Sequence, residues 1–180
     1  VGQIVPIACN IRQDSSVAGA LDGADAVINL VGILYESGTQ TFDAVHHQGS
    51  ARIAKAAKAA GITSFIQMSA LGAAPDSPAL YARSKAAGEA AVRAEVPEAI
   101  VVRPSVIFGP EDSFFNRFAS IMRITPLLPL IGGGEQKFQP VYVGDVADAI
   151  VKALTDSSAA RRTYELCGPT VYSFKELMEL

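Results

Sequence analysis

Short apolar segments alternate with helical patterns along most of this chain. The segment Ala26 to Gly32 is continuous and typical of a parallel strand that is buried on both faces. Phe65 to Met68 and Ala99 to Val102 follow the same pattern, and a helical pattern separates each strand from the next. Because strands that alternate with helices form right-handed βαβ crossovers, the sequence predicts an α/β fold: a doubly wound parallel sheet with helices on both faces.

Further elements are predicted on either side of this central pattern. Additional extended segments are expected at Ile4 to Ala8, Phe138 to Val143 and Thr163 to Cys167. Helices are expected after the capping residues Asp14, Asp145 and Ser173, over the periodic segment from Phe42 to Ala60, and along the apolar stripe of Phe114, Phe118, Ile121 and Met122.

Ser69, Tyr81 and Lys85 are the candidate catalytic residues. Ser69 follows the strand Phe65 to Met68 at its carboxyl end, where ligands bind in such sheets. Tyr81 and Lys85 are four residues apart on the next predicted helix and project from the same face. A nearby ammonium is expected to lower the pKa of the phenol from its ordinary value of ~10, and the serine hydroxyl can hydrogen-bond a substrate carbonyl or alcohol. Since Tyr-x-x-x-Lys arises often by chance, the alternative is an ordinary helix face.

Composition excludes several classes of protein. Apolar residues make up 49% of the 180 residues and charged residues 18%, which indicates a globular chain. The net charge of −3 and the lack of a basic block argue against nucleic acid as a partner, and no apolar run is long enough to predict a membrane span. Cys9 and Cys167 lack metal-ligand spacing, so no metal site is predicted; both are expected to be buried free thiols in a reducing compartment.

A phosphate-binding glycine turn is the part that the sequence lacks. A dinucleotide fold needs such a turn between its first strand and first helix. The only glycine cluster, Gly132 to Gly134, precedes no helical pattern and is interpreted as a loop. Either the fold does not use a dinucleotide, or the turn lies upstream of Val1. Because the chain begins inside a strand-like segment and stops at Leu180 within a helical pattern, we expect a piece of a longer protein and favour the second alternative.

Four stretches carry a family resemblance: Gly23 to Gly32, Phe65 to Gly72 with Tyr81 to Lys85, Arg103 to Asp112, and Gln139 to Val146. Through them the chain resembles the extended short-chain dehydrogenase/reductase superfamily, which is NAD-dependent epimerase/dehydratase-like. Within that superfamily it is similar to the atypical branch that includes the 39-kDa accessory subunit of respiratory complex I (NADH-ubiquinone oxidoreductase) and its bacterial relatives. The resemblance implies an NAD(P)-binding Rossmann domain over residues 1–123, without its first βαβ segment, and part of a small C-terminal α/β substrate lobe over residues 124–180.

The resemblance also implies which residues contact NAD or NADP. Asn10 and Ile11 would flank the adenine, although the superfamily often has an aspartate where Asn10 stands. Lys85 would reach the ribose hydroxyls of the nicotinamide half as well as Tyr81. The full set of implied cofactor-binding residues is Asn10, Ile11, Leu30, Val31, Gly32, Met68, Tyr81, Lys85, Pro104 and Val106.

Two departures from the family pattern bear on catalysis. His46 stands where the superfamily usually has an asparagine that braces the active-site strand and the proton relay; the alternative is that His46 and His47 are ordinary surface residues of a helix. Ser69 and Tyr81 are only twelve residues apart, about half the distance in typical extended enzymes. The shorter loop implies a smaller or more open pocket, or a vestigial catalytic set.

Two functions of different classes follow from the resemblance. The first is an NAD(P)-dependent oxidoreductase or epimerase/dehydratase that acts on an unknown small molecule, with Tyr81 as the acid–base group. The second is a non-catalytic, nucleotide-binding accessory or assembly subunit whose partner belongs to the respiratory chain or a quinone pathway. The expected location is the cytoplasm, the periphery of the inner membrane or, in a eukaryote, the mitochondrial matrix.

Overall fold

A computed structural model of the chain describes residues 3–112, 115–116 and 131–179. The strands are β1 (Ala26–Asn29), β2 (Ser64–Met68), β3 (Ile100–Pro104), β4 (Ile107–Phe108), β5 (Lys137–Phe138), β6 (Val141–Tyr142), β7 (Thr163–Leu166) and β8 (Tyr172–Ser173). The helices are α1 (Asp14–Ala20), α2 (Ser50–Ala59), α3 (Leu80–Glu95), α4 (Val143–Thr155) and α5 (Phe174–Glu179). A π-helix spans Asp43–Gly49, and 3₁₀ turns span Ile131–Gly134 and Ser157–Ala159.

Within the described part of the chain, the principal sheet has four strands in the order β1-β2-β3-β7. β1 and β2 are parallel and place Val27 opposite Phe65, and β2 and β3 are parallel and place Met68 opposite Val102. The carboxyl ends of these three strands therefore lie at one edge of the sheet. The predicted parallel α/β fold is confirmed.

One compact unit comprises Val1–Arg103 and Ala153–Tyr164. Its core forms because α1, α2 and α3 each bury apolar side chains against the sheet. Val27 of β1 and Phe65 of β2 belong to the same buried cluster as these helix residues. The buried members of this core are Val17, Val27, Ile53, Ala54, Ala57, Ile62, Phe65, Val92, Val96 and Ala99.

Gly88 allows α3 to lie directly against the π-helix. A Cβ at this position would lie 2.2 Å from the backbone oxygen of His46, far inside van der Waals contact. Glycine therefore stands at this position because any side chain would force the two helices apart. The close approach determines how far the side chains of α3 lie from those of the π-helix.

The second compact unit comprises Pro104–Lys152 and Glu165–Leu180. β4 pairs with β6 in parallel, and β5 pairs with β8 in antiparallel fashion. Helix α5 begins with a capping box: Glu176 N–H donates to Ser173 Oγ at 3.2 Å, and Ser173 N–H donates to Glu176 Oε2 at 2.6 Å. The predicted cap at Ser173 is confirmed.

Several predicted elements are wrong. Ile4 to Ala8 is not a strand, because it has no neighbouring strand to pair with among the described residues, and Ile4 is 91% exposed. Cys9 is accordingly exposed rather than buried, and Cys167 is only partly buried. α4 begins at Val143, so Asp145 lies in its first turn instead of capping it, and the extended segment before it is reduced to the short strands β5 and β6.

Some predictions fall on residues outside the described ranges. The stripe of Phe114, Phe118, Ile121 and Met122 lies there, as does the predicted domain boundary between residues 123 and 124. The glycine cluster Gly132 to Gly134 lies within the described residues, in the 3₁₀ turn Ile131–Gly134. Within the described ranges, every helix is too short or too polar to cross a bilayer.

Candidate functional site

The site is built at the edge where β1 and β2 end. Ser69 extends the β2 ladder by one residue, because its N–H donates to Val102 O at 2.7 Å. Gly32 lies three residues beyond the end of β1. The two predicted site residues that follow these strands are thus brought to the same edge, as the parallel arrangement requires.

A buried amide pair shapes the turn that follows β1. Asn29 is 4% exposed, and its Nδ2 donates to Gln67 Oε1 at 2.9 Å and to Ser50 Oγ at 3.3 Å. Its Oδ1 accepts the N–H of Val31 at 3.1 Å. Every polar group of the Asn29 side chain has a partner, so the backbone of Val31 is held in a defined position. Val31 belongs to the turn Leu30 to Gly32 that follows β1, which we call the rim of the sheet.

Lys85 and His46 meet at Gly32. A Cβ built on Gly32 would lie 3.0 Å from Lys85 Nζ and 3.6 Å from His46 Nε2. The absence of a side chain at Gly32 leaves these two nitrogen atoms next to the backbone of the rim. The other two predicted cofactor-binding residues of this turn are exposed: Leu30 is 59% exposed and Val31 is 41% exposed.

The ammonium of Lys85 is held in a largely dehydrated position. The residue is 6% exposed, and burial lowers the pKa of its amine to about 8, while the carboxylate of Glu89 acts in the opposite direction. Among the described residues the structure shows no hydrogen bond to Nζ. A buried ammonium with unused donors is suited to bind hydroxyl or other oxygen groups of a ligand.

Tyr81 lies in an aromatic group with Phe42 and His46. Its ring makes edge contacts with both, at centroid distances of 5.7 Å to Phe42 and 5.4 Å to His46. Lys85 Nζ lies 5.9 Å from the centre of the Tyr81 ring. Burial raises the pKa of the phenol. The expectation that the pKa of Tyr81 is lowered is therefore wrong, because burial removes the phenol from water.

His46 joins the rim to α3 and is not a surface residue. It is 2% exposed; its Nε2 accepts the N–H of Ile33 at 3.0 Å, and its Nδ1 lies 2.9 Å from Ser84 Oγ. The surface interpretation of His46 is wrong because the π-helix turns this side chain inward. His47 remains at the surface, where its Nδ1 lies 2.9 Å from Asp43. Burial and the nearby ammonium of Lys85 lower the pKa of His46 to about 4, so its ring is neutral.

Ser69 is bonded to a buried ion pair. Its hydroxyl donates to Glu89 Oε1, and the same carboxylate accepts from Arg103 Nε at 2.9 Å and Arg103 Nη2 at 2.8 Å. Ser69 is 4% exposed and Glu89 5% exposed. The ionised carboxylate can only accept, so the hydroxyl proton of Ser69 is directed at Glu89.

The remaining predicted residues lie elsewhere in the two units. Asn10 Oδ1 accepts the N–H of Arg12 at 3.1 Å, and Ile11 packs at the edge of the core. Met68 ends β2 and is half-buried. Pro104 and Val106 belong to the second unit, where Pro104 is the buried end of β3 and Val106 O accepts the N–H of Val141 at 2.9 Å.

Glu89, Ser84 and Phe42 belong to the site and were not predicted from the sequence. Glu89 and Ser84 could have been found from their spacing, since Glu89 follows Lys85 by four residues and Ser84 follows Tyr81 by three, which places each on the same face of α3 as its partner. Phe42 had no such signal. Its placement depends on the π-helix that it precedes, whose wider turn cannot be read from a pattern with a period of 3.6.

No metal centre is indicated by the described part of the chain, which holds no group of three or more potential His, Cys, Asp or Glu ligands. Among the described residues, the polar groups of this site include the ammonium of Lys85, the neutral imidazole of His46, the phenol of Tyr81 and the hydroxyls of Ser69 and Ser84. This set is suited to proton transfer and to binding hydroxyl groups.

Comparison with known families gives one match over most of the chain. The family described as "NAD dependent epimerase/dehydratase family" matches residues 3–167. Among solved structures, the dTDP-glucose 4,6-dehydratase DesIV double mutant from Streptomyces venezuelae, with NAD and DAU bound, has a TM-score of 0.81 at 22% identity, over 94% of this chain and 60% of that chain. A dTDP-4-dehydrorhamnose reductase from Bacillus anthracis in complex with NADP has a TM-score of 0.73 at 19% identity, over 94% and 66%. At these identities the likeness shows the fold, a Rossmann-type parallel sheet.

Comparison with curated proteins gives closer relatives in sequence. The chain is 43% identical over 182 residues to NADH dehydrogenase (ubiquinone) 1 alpha subcomplex subunit 9, mitochondrial, of Arabidopsis thaliana, covering 100% of this chain and 45% of the relative. The protein of the same name from Mus musculus is 39% identical over 180 residues, covering 99% and 48%. A ceramide reductase of Caulobacter vibrioides is 36% identical over 145 residues, covering 78% and 45%. The chain thus spans about half the length of the curated relatives it matches, and its resemblance to the complex I accessory subunit is confirmed.

Proposed function

This chain belongs to the NAD dependent epimerase/dehydratase family, and we propose that it forms part of a nicotinamide-dinucleotide site at the rim where β1 and β2 end. The single observation that carries the proposal is the buried ammonium of Lys85 beside the backbone of Gly32, on the face of α3 that also carries Tyr81. In this proposal the protein is an oxidoreductase or an epimerase/dehydratase that acts on a small molecule.

The residues present fit the nicotinamide half of such a cofactor. Gly32 leaves room beside Lys85 Nζ, where an added Cβ would lie at 3.0 Å. The ammonium has unused donors for the hydroxyls of a ribose, and Leu30 and Val31 expose an apolar rim for a flat ring. Asn10 Oδ1 accepts the N–H of Arg12, which leaves the side-chain N–H₂ of Asn10 as the donor it would offer to the adenine half.

Each residue of the candidate catalytic set receives a role from its surroundings. Tyr81 is protonated at neutral pH because burial raises its pKa, so in this state it is a proton donor to a substrate oxygen. Lys85 orients the ribose and places positive charge near the phenol, which favours the phenolate when the reaction runs in the opposite direction. Ser69 stays in the proposed set as a hydrogen-bond acceptor, since its own proton is directed at Glu89. A bound nicotinamide supplies or accepts the hydride.

Nucleotide binding is tested on the full-length protein by thermal denaturation with NADH and, separately, NADPH. A ligand at 100 times its Kd stabilises the folded state by about 2.7 kcal/mol, which is easily measured as a rise in Tm. We expect Lys85→Met to abolish this rise. Lys58→Met is the matched control, because Lys58 is an exposed lysine paired with Glu95 at 3.0 Å. No rise with either nucleotide in the wild-type protein would refute the proposal.

Catalysis is tested separately with Tyr81→Phe. This variant keeps the aromatic contacts to Phe42 and His46 and loses only the hydroxyl. We expect it to retain the nucleotide-dependent rise in Tm and to lose turnover of a carbonyl or alcohol substrate by 10²-fold or more, on the order of a removed acid–base group. Unchanged turnover would exclude Tyr81 from the chemistry.

A second candidate function is a non-catalytic accessory subunit of a respiratory or quinone-related complex. It is favoured by the complex I relatives, at 33 to 43% identity, and by the hydroxyl proton of Ser69 being directed at Glu89. Its partner would be a respiratory-chain protein at the inner membrane or in the mitochondrial matrix. Purification of the tagged full-length protein with its partners distinguishes the two functions. Complex I subunits that co-purify, together with a Tyr81→Phe variant that leaves the function of the complex unchanged, would support this candidate. Turnover of a substrate by the protein without partners would exclude it.

A further inference from the structure

Glu89 is a buried acid that neither the fold nor the proposed chemistry accounts for. It lies on α3, one turn beyond Lys85, and accepts three hydrogen bonds in the interior: two from Arg103 and one from Ser69. A carboxylate that is only 5% exposed must be compensated, and Arg103 does so in a bidentate pair. An ion pair alone would explain its stability, but it would not explain why the pair is built between two candidate catalytic residues.

We propose that Glu89 is a positioning residue of this site, which keeps Lys85 protonated in its dehydrated position and holds Ser69 as an acceptor only. The inference rests on the proposed function of Lys85 as the group that binds the nucleotide. Ser69 and Arg103 use both carboxylate oxygens of Glu89, so Glu89 is assigned no contact with ligand and acts through Lys85 and Ser69.

The groups that surround Lys85 determine which of them can stabilise its positive charge. Tyr81 and Glu89 face it along its own helix, and His46 faces it from the π-helix. The rim contributes the uncharged backbone of Gly32. His46 is neutral and Tyr81 is protonated, so Glu89 supplies the negative charge among these neighbours. Arg103 and Ser69 fix that charge in place, because they use both carboxylate oxygens.

The geometry also limits what Ser69 can recognise. A hydroxyl has one proton and two lone pairs, and the proton of Ser69 is donated to Glu89. Ser69 can then accept a hydrogen bond from a substrate hydroxyl, whereas it cannot polarise a substrate carbonyl by donation. Under this arrangement Tyr81 is the proton donor at a carbonyl, and Ser69 suits an alcohol group.

The test is a titration of Lys85 in the full-length protein labelled with ¹³Cε-lysine, with the Lys85 signal assigned by its loss in Lys85→Arg. Glu89→Gln keeps the size of the side chain and removes the charge. We expect the midpoint of Lys85 to fall by about one pH unit, a tenfold change in its protonation ratio. Glu95→Gln is the matched control: it removes a carboxylate from the same helix, but one that faces Lys58, and should leave the midpoint unchanged.

A second variant guards against loss of folding, because Glu89→Gln removes the carboxylate that holds Arg103 in a bidentate pair. The double variant Glu89→Gln/Arg103→Gln removes the buried carboxylate together with its partly buried guanidinium partner and should fold as a neutral pair. Circular dichroism and Tm establish folding, and the Lys85 midpoint should again fall, by less than in the single variant because Arg103→Gln also removes a positive charge. An unchanged midpoint in the folded single or double variant would overturn the inference, since a purely structural ion pair does not move the titration of Lys85.

The nucleotide arm separates this inference from the proposed function. If the wild-type protein binds NADH or NADPH, the pH at which it loses affinity for the nucleotide should fall in Glu89→Gln, together with the Lys85 midpoint. A Lys85 midpoint that falls while this pH stays the same would overturn the link to the nucleotide. If the wild-type protein binds neither nucleotide, the proposed function is wrong. The role of Glu89 in a nucleotide site is then also wrong, even if the Lys85 midpoint falls in Glu89→Gln.

Discussion

His46 Nδ1 lies 2.9 Å from Ser84 Oγ and joins the rim of the sheet to the helix that carries Tyr81 and Lys85. The other ring nitrogen of His46 accepts the N–H of Ile33, so the proton of the neutral ring resides on Nδ1. Ser84 in turn donates to Tyr81 O at 2.7 Å. The chain of bonds from Ile33 to Tyr81 is complete only while His46 carries one proton, because a second proton on Nε2 would face an N–H donor.

Acid should therefore destabilise the protein through His46. The pKa of this ring is about 4 in the folded state against 6.5 for a free histidine. Between these values the unfolded chain takes up a proton that the folded chain does not, so the free energy of unfolding falls as the pH drops from 6.5 to 4, by ~3 kcal/mol in total. Urea denaturation at intervals across this range measures the slope.

His46→Gln should flatten this pH dependence, at the cost of lower stability at pH 7. His47→Gln is the control, because His47 lies at the surface beside Asp43 and is not part of the chain of bonds to Tyr81. We expect it to keep the acid sensitivity of the wild-type protein. An equal slope in His46→Gln and the wild-type protein would contradict the assignment.

Lys85 should lower stability in the absence of ligand. Its pKa of about 8 lies below the ordinary 10.5, so between these values the unfolded chain is protonated and the folded chain is not. The free energy of unfolding should consequently rise as the pH increases from 8 to 10.5. Lys85→Met should be more stable than the wild-type protein at pH 7, by up to about 3 kcal/mol, and should lose this alkaline rise.

Two lysine variants, compared without nucleotide, test whether Lys85 lowers the stability of the protein. Lys58, 61% exposed in its side chain, is replaced by Met in the control, and the change should be within about 0.5 kcal/mol. A Lys85→Met protein that is less stable than the control would show that the ammonium makes favourable interactions in the free protein. Greater stability together with lost nucleotide binding is the pattern of a residue retained for function.

Asn29 should matter more for stability than its exposed neighbour. Replacement by Ala leaves the N–H of Val31 and the side chain of Gln67 without their buried partner, with an expected loss of about 2 kcal/mol. Ile28→Ala, on the open face of β1 at 41% exposure, is the control and should cost less. Denaturant titration of both variants measures the difference, and equal losses would show that the amide pair adds no stability.

The sheet and its helices could be predicted because their signals are local. The apolar run of β1 and the spacing of Tyr81 and Lys85 each lie within one element, and the parallel order of strands follows from alternation. Ile4 to Ala8 shows the limit of this reasoning, since an apolar run becomes a strand only where another strand pairs with it.

The electrostatic character of the site depends on packing that the sequence does not reveal. The pKa of Tyr81 is raised rather than lowered because the phenol is buried, and the rings of Phe42 and His46 pack against it. The inward position of His46 depends on the π-helix. Neither feature has a periodic signal, so the residue types of the site were predictable and their protonation states were not.

Gly88 should be the position where the smallest change disturbs the site most. An Ala at this position would bring its Cβ to within 2.2 Å of the backbone oxygen of His46, which forces α3 away from the π-helix. We expect Gly88→Ala to reduce stability by about 1–3 kcal/mol, the usual cost of overpacking. Gly19→Ala is the matched control: Gly19 is also helical, and a Cβ there meets nothing within 4 Å, so helix propensity alone should stabilise the protein by up to about 1 kcal/mol. If α3 and the π-helix are packed as described, thermal and denaturant unfolding should show a loss of stability in Gly88→Ala and a gain in Gly19→Ala. A Gly88→Ala protein as stable as Gly19→Ala would show that the two helices are not in contact.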